Sequence, residues 1–207
     1  MKKIIIAFFA TGIFLISCKN EEKKVDASTS KTESETMDSA TMMKNWMTYM
    51  TPGEPHAMLA KSVGEWTSVN TMWMSPDAPP SVTQGFCLNK MILGGRYLIS
   101  ENKGDYNGMP FEGIATTAYD NAKKVFVNTW IDNFGTGVMT SEGTYDSTTK
   151  TITSKGTMID PMTGKNMNFR ETFASPDDNT QILEMFVPSP DGKSEFKTMN
   201  IVYTRKK

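Results

Sequence analysis

The feature that most constrains the fold of this chain is a series of short turn sequences in its C-terminal half. From residue 119 onward, Asp, Asn, Pro, Gly and Ser cluster at intervals of about 14 to 15 residues, and these residues select tight turns. One further turn, Asp132-Asn133-Phe134-Gly135, divides the first interval. Connections this short leave no room for a crossover helix, so consecutive strands must be antiparallel neighbours. The turn spacing therefore predicts an antiparallel meander.

The segments between these turns are rich in Thr, Val, Ile, Phe, Tyr and Trp, which favour β-strands. An open meander of about ten strands would expose two long unpaired edges, whereas closure into a barrel removes both. We therefore predict an all-β fold, an antiparallel up-and-down β-barrel in which Trp66 and Phe169 are buried by strand alternation. The predicted strands span residues 65–74, 81–91, 96–103, 110–119, 124–132, 137–146, 150–159, 165–174, 180–187 and 195–204.

Two short helices are predicted before the barrel. Between residues 42 and 50, Met43, Trp46, Met47 and Met50 recur at spacings of three and four, which indicates one apolar helical face. We expect this face to pack over an end or a side of the barrel. A second helix is predicted from Pro55 through Lys61, since Pro is favoured in the first helical turn and Gly64 follows just past the end.

The first seventeen residues have the pattern of a cleavable signal peptide. Lys2 and Lys3 precede an apolar run that ends by Ile16, too short to span a bilayer, which takes about 20 residues. The run closes with Leu15-Ile16-Ser17-Cys18, which resembles a bacterial lipobox and predicts that Cys18 carries diacylglycerol as the first mature residue. The alternative is an ordinary secretory signal that happens to contain a cysteine.

The chain is thus predicted to have four parts: the signal peptide 1–17, a disordered tether 18–40, the helices 41–63 and the barrel 64–207. The tether is charged and rich in Ser and Thr, with little to bury. Acyl chains on Cys18 would hold the domain on a bilayer of the cell envelope, with the outer membrane as the leading prediction. Lys19-Asn20-Glu21-Glu22 also resembles a surface-export signal of Bacteroidetes-type lipoproteins, and a generic charged linker is the alternative.

An ordered set of short motifs runs through the barrel region. These motifs are Gly64-Glu65-Trp66, Gly94-Gly95-Arg96-Tyr97-Leu98, Phe111-Glu112-Gly113, Ala118-Tyr119-Asp120-Asn121, Trp130-Ile131-Asp132-Asn133, Gly135-Thr136-Gly137 and Ser141-Glu142-Gly143-Thr144-Tyr145-Asp146. From about Pro55 to Lys207 the chain resembles the bacterial domain of unknown function fifteen seventy-nine. The resemblance implies a calycin-like barrel, of the kind found in lipocalins and nitrobindins, and implies no reaction.

Polar side chains alternate with apolar ones in three of the predicted strands. The polar sets are Asn128, Trp130 and Asp132, then Thr140 and Glu142, then Asn168 and Arg170. In a roomy barrel, Trp130, Glu142 and Arg170 would lie within about 10 Å and could orient one ligand in an otherwise apolar cavity. Arg170 would then meet a carboxylate or phosphate, and Trp130 would supply a flat wall. The alternative is that these polar residues form a wet outer face over a filled barrel.

Other candidate groups favour ordinary roles. His56 is the only histidine and has no nucleophile motif nearby, so a catalytic triad is not favoured. Helix capping or surface exposure is favoured over haem ligation. The residues Met42, Met43, Met47, Met50, His56 and Met58 could form a Cu(I) site, but packing alone explains their spacing. Cys87 has no partner at metal-ligand spacing, which indicates a buried, inert thiol. No cofactor, metal or catalytic residue is predicted.

The leading functional hypothesis is a non-enzymatic, membrane-tethered barrel that binds a small, partly apolar molecule in the cell envelope. The formal net charge of −1 does not suggest nucleic acid, and the predicted partners are the bilayer, through acylated Cys18, and a small-molecule ligand. One alternative is a structural or protein-interaction module, which would have a filled barrel and an exposed apolar patch. Another is an enzyme that uses Glu142 or Asp132 as a general acid or base, which requires a buried carboxyl with a raised pKa.

Overall fold

The computed structural model describes residues 37–106 and 108–207. The predicted signal peptide, Cys18 and most of the predicted tether lie outside the described residues. The compact unit Asp38–Lys207 contains two helices followed by ten strands. The helices are α1 (Ser39–Met50) and α2 (Glu54–Ala60). The strands are β1 (Gly64–Met72), β2 (Ser81–Ile92), β3 (Tyr97–Tyr106), β4 (Met109–Asp120), β5 (Val125–Asp132), β6 (Met139–Asp146), β7 (Thr151–Ile159), β8 (Asn166–Asp177), β9 (Thr180–Pro188) and β10 (Glu195–Arg205).

The strands form a closed antiparallel barrel in which each strand pairs with its neighbours in sequence and β1 pairs with β10. This strand order confirms the predicted up-and-down barrel. Strands that follow each other in the chain pair because the turns between them are too short to permit another pairing. Asp side chains fix several turns by accepting backbone N–H groups two residues on, as Asp120 does from Ala122 and Asp146 does from Thr148, both at 2.8 Å.

Helix α1 begins three residues earlier than predicted because Asp38 caps it. The Asp38 carboxylate accepts the backbone N–H groups of Ala40 and Thr41 at 2.9 and 3.0 Å. The predicted packing of its apolar face on the barrel is wrong, since α1 has no buried residue and Trp46 is 63% exposed. The helix is held instead at its C-terminal end, where Asn121 and Arg96 donate hydrogen bonds to its last carbonyls.

Helix α2 closes one end of the barrel. Its Leu59 packs in one apolar cluster with Leu98, Phe126 and Ile152 from the barrel wall. At the same end, Trp66 is buried, as predicted, with 1% of its surface exposed. The helix thus acts as a plug, and the barrel mouth lies at the other end, where β4 begins and β5 ends.

The plug is fixed by polar contacts as well as by packing. Carbonyl and hydroxyl oxygens of Ser62 accept hydrogen bonds from Trp66 Nε1, Asn89 Nδ2 and Gln181 Nε2 at 2.9, 3.0 and 2.7 Å. The Arg205 guanidinium lies 4.2 Å from the Trp66 ring centroid and donates to the carbonyls that follow α2. This end of the barrel is therefore a dense, fully paired core.

Candidate functional site

The strand register sorts the predicted site residues onto two different faces of the wall. Trp130 pairs with Ala115 on one side and Met139 on the other, and it shares the inner face with the fully buried Phe126. Glu142 pairs with Val127 and so faces outward with it. Arg170 lies next to the inward-facing, buried Phe169 and therefore also faces outward.

The structure does not bring Trp130, Glu142 and Arg170 together, and the predicted common stripe is wrong. The physical reason is that the polar set of β5 faces inward, whereas the polar sets of β6 and β8 face outward. In β5 the aliphatic residues Val127 and Ile131 face outward instead. The polar groups that face inward pair with one another, as Trp130 does with Asp132 and Asn128 does with Glu171.

On the outer wall, Glu142 and Arg170 make separate surface ion pairs. Glu142 Oε1 lies 2.6 Å from Lys123 Nζ, and the Glu142 side chain is 51% exposed. Arg170 Nε donates to Glu195 Oε2 at 2.8 Å, and its guanidinium lies over the Phe186 ring. Pairs of this kind contribute about 0–1 kcal/mol. An open concavity of about 230 Å³ beside Glu142 is part of the outer surface.

Inside the barrel, Trp130 is held in one orientation at the mouth. Its Nε1 donates to Asp132 Oδ2 at 2.6 Å, and its ring stacks on Phe111 with centroids 6.2 Å apart. The ring lies across Gly113, where an added Cβ would come within 2.4 Å of it. Phe134 meets Phe111 edge-on and extends this aromatic wall. The motifs Phe111-Glu112-Gly113 and Trp130-Ile131-Asp132-Asn133 thus meet in the structure, where they fix the indole ring against the inner surface.

Deeper in the barrel, a polar network that the sequence analysis missed surrounds Glu171. Ser141 Oγ donates to Glu171 Oε1 at 2.7 Å, and Asn128 Nδ2 lies 3.3 Å from the same oxygen. Asn128 Nδ2 also lies 3.2 Å from Ser154 Oγ. Burial raises the pKa of Glu171, an effect opposed by the hydrogen bonds from Ser141 and Asn128. The sequence did contain a signal for this inward position. Glu171 lies two residues from both Phe169 and Phe173, so strand alternation puts it on the apolar face with them.

Next to the aromatic wall, the inner surface is lined by flexible apolar side chains, and one of them, Met139, pairs with Trp130. Phe169, buried as predicted, and Met185 and Val187 form the centre of this cluster. Four further methionines and one phenylalanine pack against it: Met139, Met158, Met167, Met199 and Phe196. Thioether side chains adapt to irregular shapes, so this surface can adjust to a bound molecule.

Many inward-facing side chains remain only half-buried although the barrel is closed. Ala115, Asn128, Trp130, Met199 and Ile201 all face inward in the strand register and all keep intermediate solvent access. Ten strands enclose a wider interior than the eight that side chains can fill or that hold one small ligand in lipocalins. The inner wall between the mouth and the α2 plug therefore keeps partial solvent access.

His56 and Cys87, the two other groups considered in the sequence, both lie in the protein core. His56 is buried, and its Nδ1 accepts the Gly53 N–H at 3.0 Å, which is the capping role rather than haem ligation. Burial, together with the nearby Arg96 charge, lowers the pKa of His56. Cys87 is buried as predicted, and burial, with a smaller effect of Glu101, raises its thiol pKa to about 12.

The residues considered as an alternative Cu(I) site lie in two environments, because the α1 methionines are exposed while His56 is buried in the plug. Within residues 37–106 and 108–207, no three His, Cys, Asp or Glu side chains converge as metal ligands. The same described part of the chain has no helix with the length and apolarity that a membrane crossing needs.

Comparison with known proteins places this architecture in a family. A sequence model of the family described as Protein of unknown function (DUF1579) matches residues 51–205. No curated protein matches the chain. The crystal structure of Rv2717c from M. tuberculosis is similar, with a TM-score of 0.56 and 14% identity over 75% of this chain and 100% of that one. The S-type phycobiliprotein lyase CPES from Guillardia theta has a TM-score of 0.51 and 9% identity over 75% of this chain and 94% of that one. At these identities the likeness concerns the fold alone.

Proposed function

Because the chain belongs to the DUF1579 family, whose description assigns no function, we propose a function from the barrel itself: the interior binds one small, partly apolar molecule. The observation that carries this proposal is the partial solvent access of side chains that face into a closed barrel, Trp130 among them. A filled core would bury these side chains, as it does Trp66. Binding pockets combine such apolar walls with a few polar groups, which matches the arrangement described above.

The proposed site extends from the mouth to the Glu171 network. The Trp130 ring would cover one flat side of the ligand, and the methionine cluster would adapt to the other side. The ligand would displace water from apolar surface, which contributes about 25 cal/mol per Å². Asn128 and Glu171 would orient its polar end.

Titration with 1-naphthylmethanol tests this proposal, using the mature chain from residue 18 with Cys18→Ser so that no acyl group is attached. We expect saturable binding by calorimetry, weakened by Trp130→Ala. The matched control is Trp46→Ala, on the exposed face of α1, which should bind as the parent chain does. Equal loss in both variants, or no saturable binding at all, would contradict an interior site.

We further propose that Cys18 is lipidated and that the barrel is a tethered lipoprotein of the cell envelope. This rests on the sequence alone: a short apolar run, the lipobox-like Leu15-Ile16-Ser17-Cys18 and a charged segment before Asp38. A labelled fatty-acid analogue should mark the protein in cells, and Cys18→Ala should abolish both the label and sedimentation with membranes. Unchanged sedimentation of the Cys18→Ala protein would refute the anchor.

One observation favours an interaction module as a second candidate function. The apolar face of α1 has no partner in the barrel, and its side chains Met43, Trp46 and Met47 are each more than half exposed. If this face binds an envelope protein, Met43→Lys with Met47→Lys should abolish cross-linking in cells and leave naphthylmethanol binding unchanged. Retained cross-linking in that variant would exclude α1 as the contact surface.

The enzymatic alternative has no support at the two residues the sequence suggested. Glu142 is on the outer wall in an exposed ion pair. Asp132 uses Oδ2 to accept from Trp130 and Oδ1 to accept from the Phe134 N–H at 3.0 Å. Both carboxylates are therefore occupied by structural contacts rather than positioned toward a substrate.

A further inference from the structure

Glu171 has one carboxylate oxygen engaged and one free. The two hydrogen bonds that this side chain accepts, from Ser141 and Asn128, both reach Oε1. Among the described residues, no hydrogen-bond donor reaches Oε2. In the same part of the chain, every fully buried side-chain oxygen has a hydrogen-bond partner, so Oε2 is not fully buried. Oε2 must therefore be reachable by solvent, and since Glu171 faces inward the solvent in question is that of the barrel interior.

Among the described strand residues, no basic side chain pairs with this carboxylate. Lys155 and Arg170 lie close to Glu171 in the register, but both face outward. Arg205 faces inward at the plugged end, where its three guanidinium nitrogens donate to the carbonyls of Lys61, Val63 and Asp178. The other inward-facing carboxylate of the described strands, Asp132, adds a second negative charge at the mouth.

The groups that contact Glu171 or pair with it across the inner wall do not titrate. They are Ser154 from β7, Met185 from β9, Ser141 from β6 and Asn128 from β5. An ionised carboxylate in such surroundings has lost part of its hydration and gains only two neutral donors in return. A cation brought in by a ligand would supply the missing partner, whereas an anion would be repelled by Glu171 and Asp132 alike.

We propose that Glu171 is the specificity-determining group of the barrel and selects a ligand that carries a protonated nitrogen, an amine or amidine, on an apolar body. This rests on the proposed binding function. The nitrogen donates to Oε2, and the apolar body lies between the Trp130 ring and the methionine cluster. Hydrogen bonds between charged partners are roughly twice as strong as neutral ones, so the cation should dominate selectivity.

Three probes with one shape and different charges test the proposal: 1-naphthylmethylamine as cation, 1-naphthylmethanol as neutral form and 1-naphthylacetate as anion. In the mature Cys18→Ser chain at pH 7, the amine should bind about tenfold or more tightly than the alcohol, and the acetate should bind most weakly. Glu171→Gln should remove the preference for the amine, so that the amine and the alcohol bind with about equal affinity. The matched control is Glu112→Gln, an outward carboxylate paired with Lys103, which should keep the full preference.

A measurement on the unsubstituted side chain keeps the test valid if Glu171→Gln does not fold. As pH falls through the raised pKa of Glu171, the preference for the amine should disappear while the amine itself stays protonated. If the alcohol binds and the amine binds no better at any pH, the proposal is wrong and the binding function stands. If none of the three probes binds, both are wrong.

Discussion

Gly113→Ala is expected to displace Trp130 and to destabilise the barrel moderately. A Cβ at residue 113 would lie 2.4 Å from Trp130 Cη2 and Cζ2, about 1 Å closer than ordinary van der Waals contact. The ring must move away, which breaks the 2.6 Å bond from Trp130 Nε1 to Asp132 and the stacking on Phe111. Because Trp130 keeps partial solvent access and does not lie in a fully buried core, we expect a cost of about 1–3 kcal/mol.

Urea unfolding followed by fluorine NMR of the 5-fluorotryptophan protein measures both effects of this substitution. The chain has four tryptophans, and Trp130→Phe assigns the resonance of interest. In Gly113→Ala the Trp130 resonance should shift while the Trp66 resonance stays in place. The control is Gly137→Ala, because an added Cβ there has no neighbour within 4 Å. An unmoved Trp130 resonance together with parent-like stability would refute the packing of the indole on Gly113.

Three further predictions concern burial and titration. Trp66→Ala should lower the free energy of unfolding by about 3–5 kcal/mol in urea denaturation, since the ring is 1% exposed, and a loss below about 1 kcal/mol would contradict the plug. Burial raises the pKa of Glu171, so the folded state retains this proton where the unfolded chain has lost it, and stability should fall as pH rises from the usual carboxyl range through the raised pKa. Glu171→Gln should remove that part of the pH dependence, as thermal melts across this range would show. Burial raises the pKa of the Cys87 thiol to about 12, so little of it is thiolate at pH 8. In the Cys18→Ser chain, we therefore expect iodoacetamide to modify Cys87 at least about a hundredfold more slowly in the folded protein than in the unfolded protein. Equal rates in the two states would exclude the burial of Cys87.

The fold could be predicted because its determinants are local. Asp residues such as Asp120 and Asp146 specify turns through hydrogen bonds to their own loops, and short turns admit antiparallel neighbours only. The start of α1 was missed because Asp38 was assigned to the tether rather than recognised as a cap. The exposure of α1 could not be predicted, because an apolar spacing of three and four does not say what covers the face.

Of the three residues predicted to share one face, Trp130 faces the interior, whereas Glu142 and Arg170 face outward. The common stripe was wrong because polar residues of different strands need not share a face, since the face of each residue is set by the strand register. In β5 the buried Phe126 alternates with Asn128 and Trp130, which places that polar set inside. In β8 the same alternation from Phe169 places Glu171 inside and Arg170 outside. The hydrogen bonds that then join Asn128 to Glu171 cross three strand pairings and have no local sequence signal.

The openness of the barrel interior can be measured with two substitutions at adjacent residues of β4. Ala115 faces inward opposite Trp130, and Ile114 faces outward opposite Ile131 with 43% of its surface exposed. An indole added at residue 115 should occupy the proposed ligand space at little cost in stability, whereas in a filled core overpacking would cost about 1–3 kcal/mol or more. We therefore predict that Ala115→Trp stays folded with parent-like urea stability and loses 1-naphthylmethanol binding, while Ile114→Trp keeps both. A strongly destabilised Ala115→Trp protein would show that the interior is filled, and a stable one that still binds the probe would place the site elsewhere.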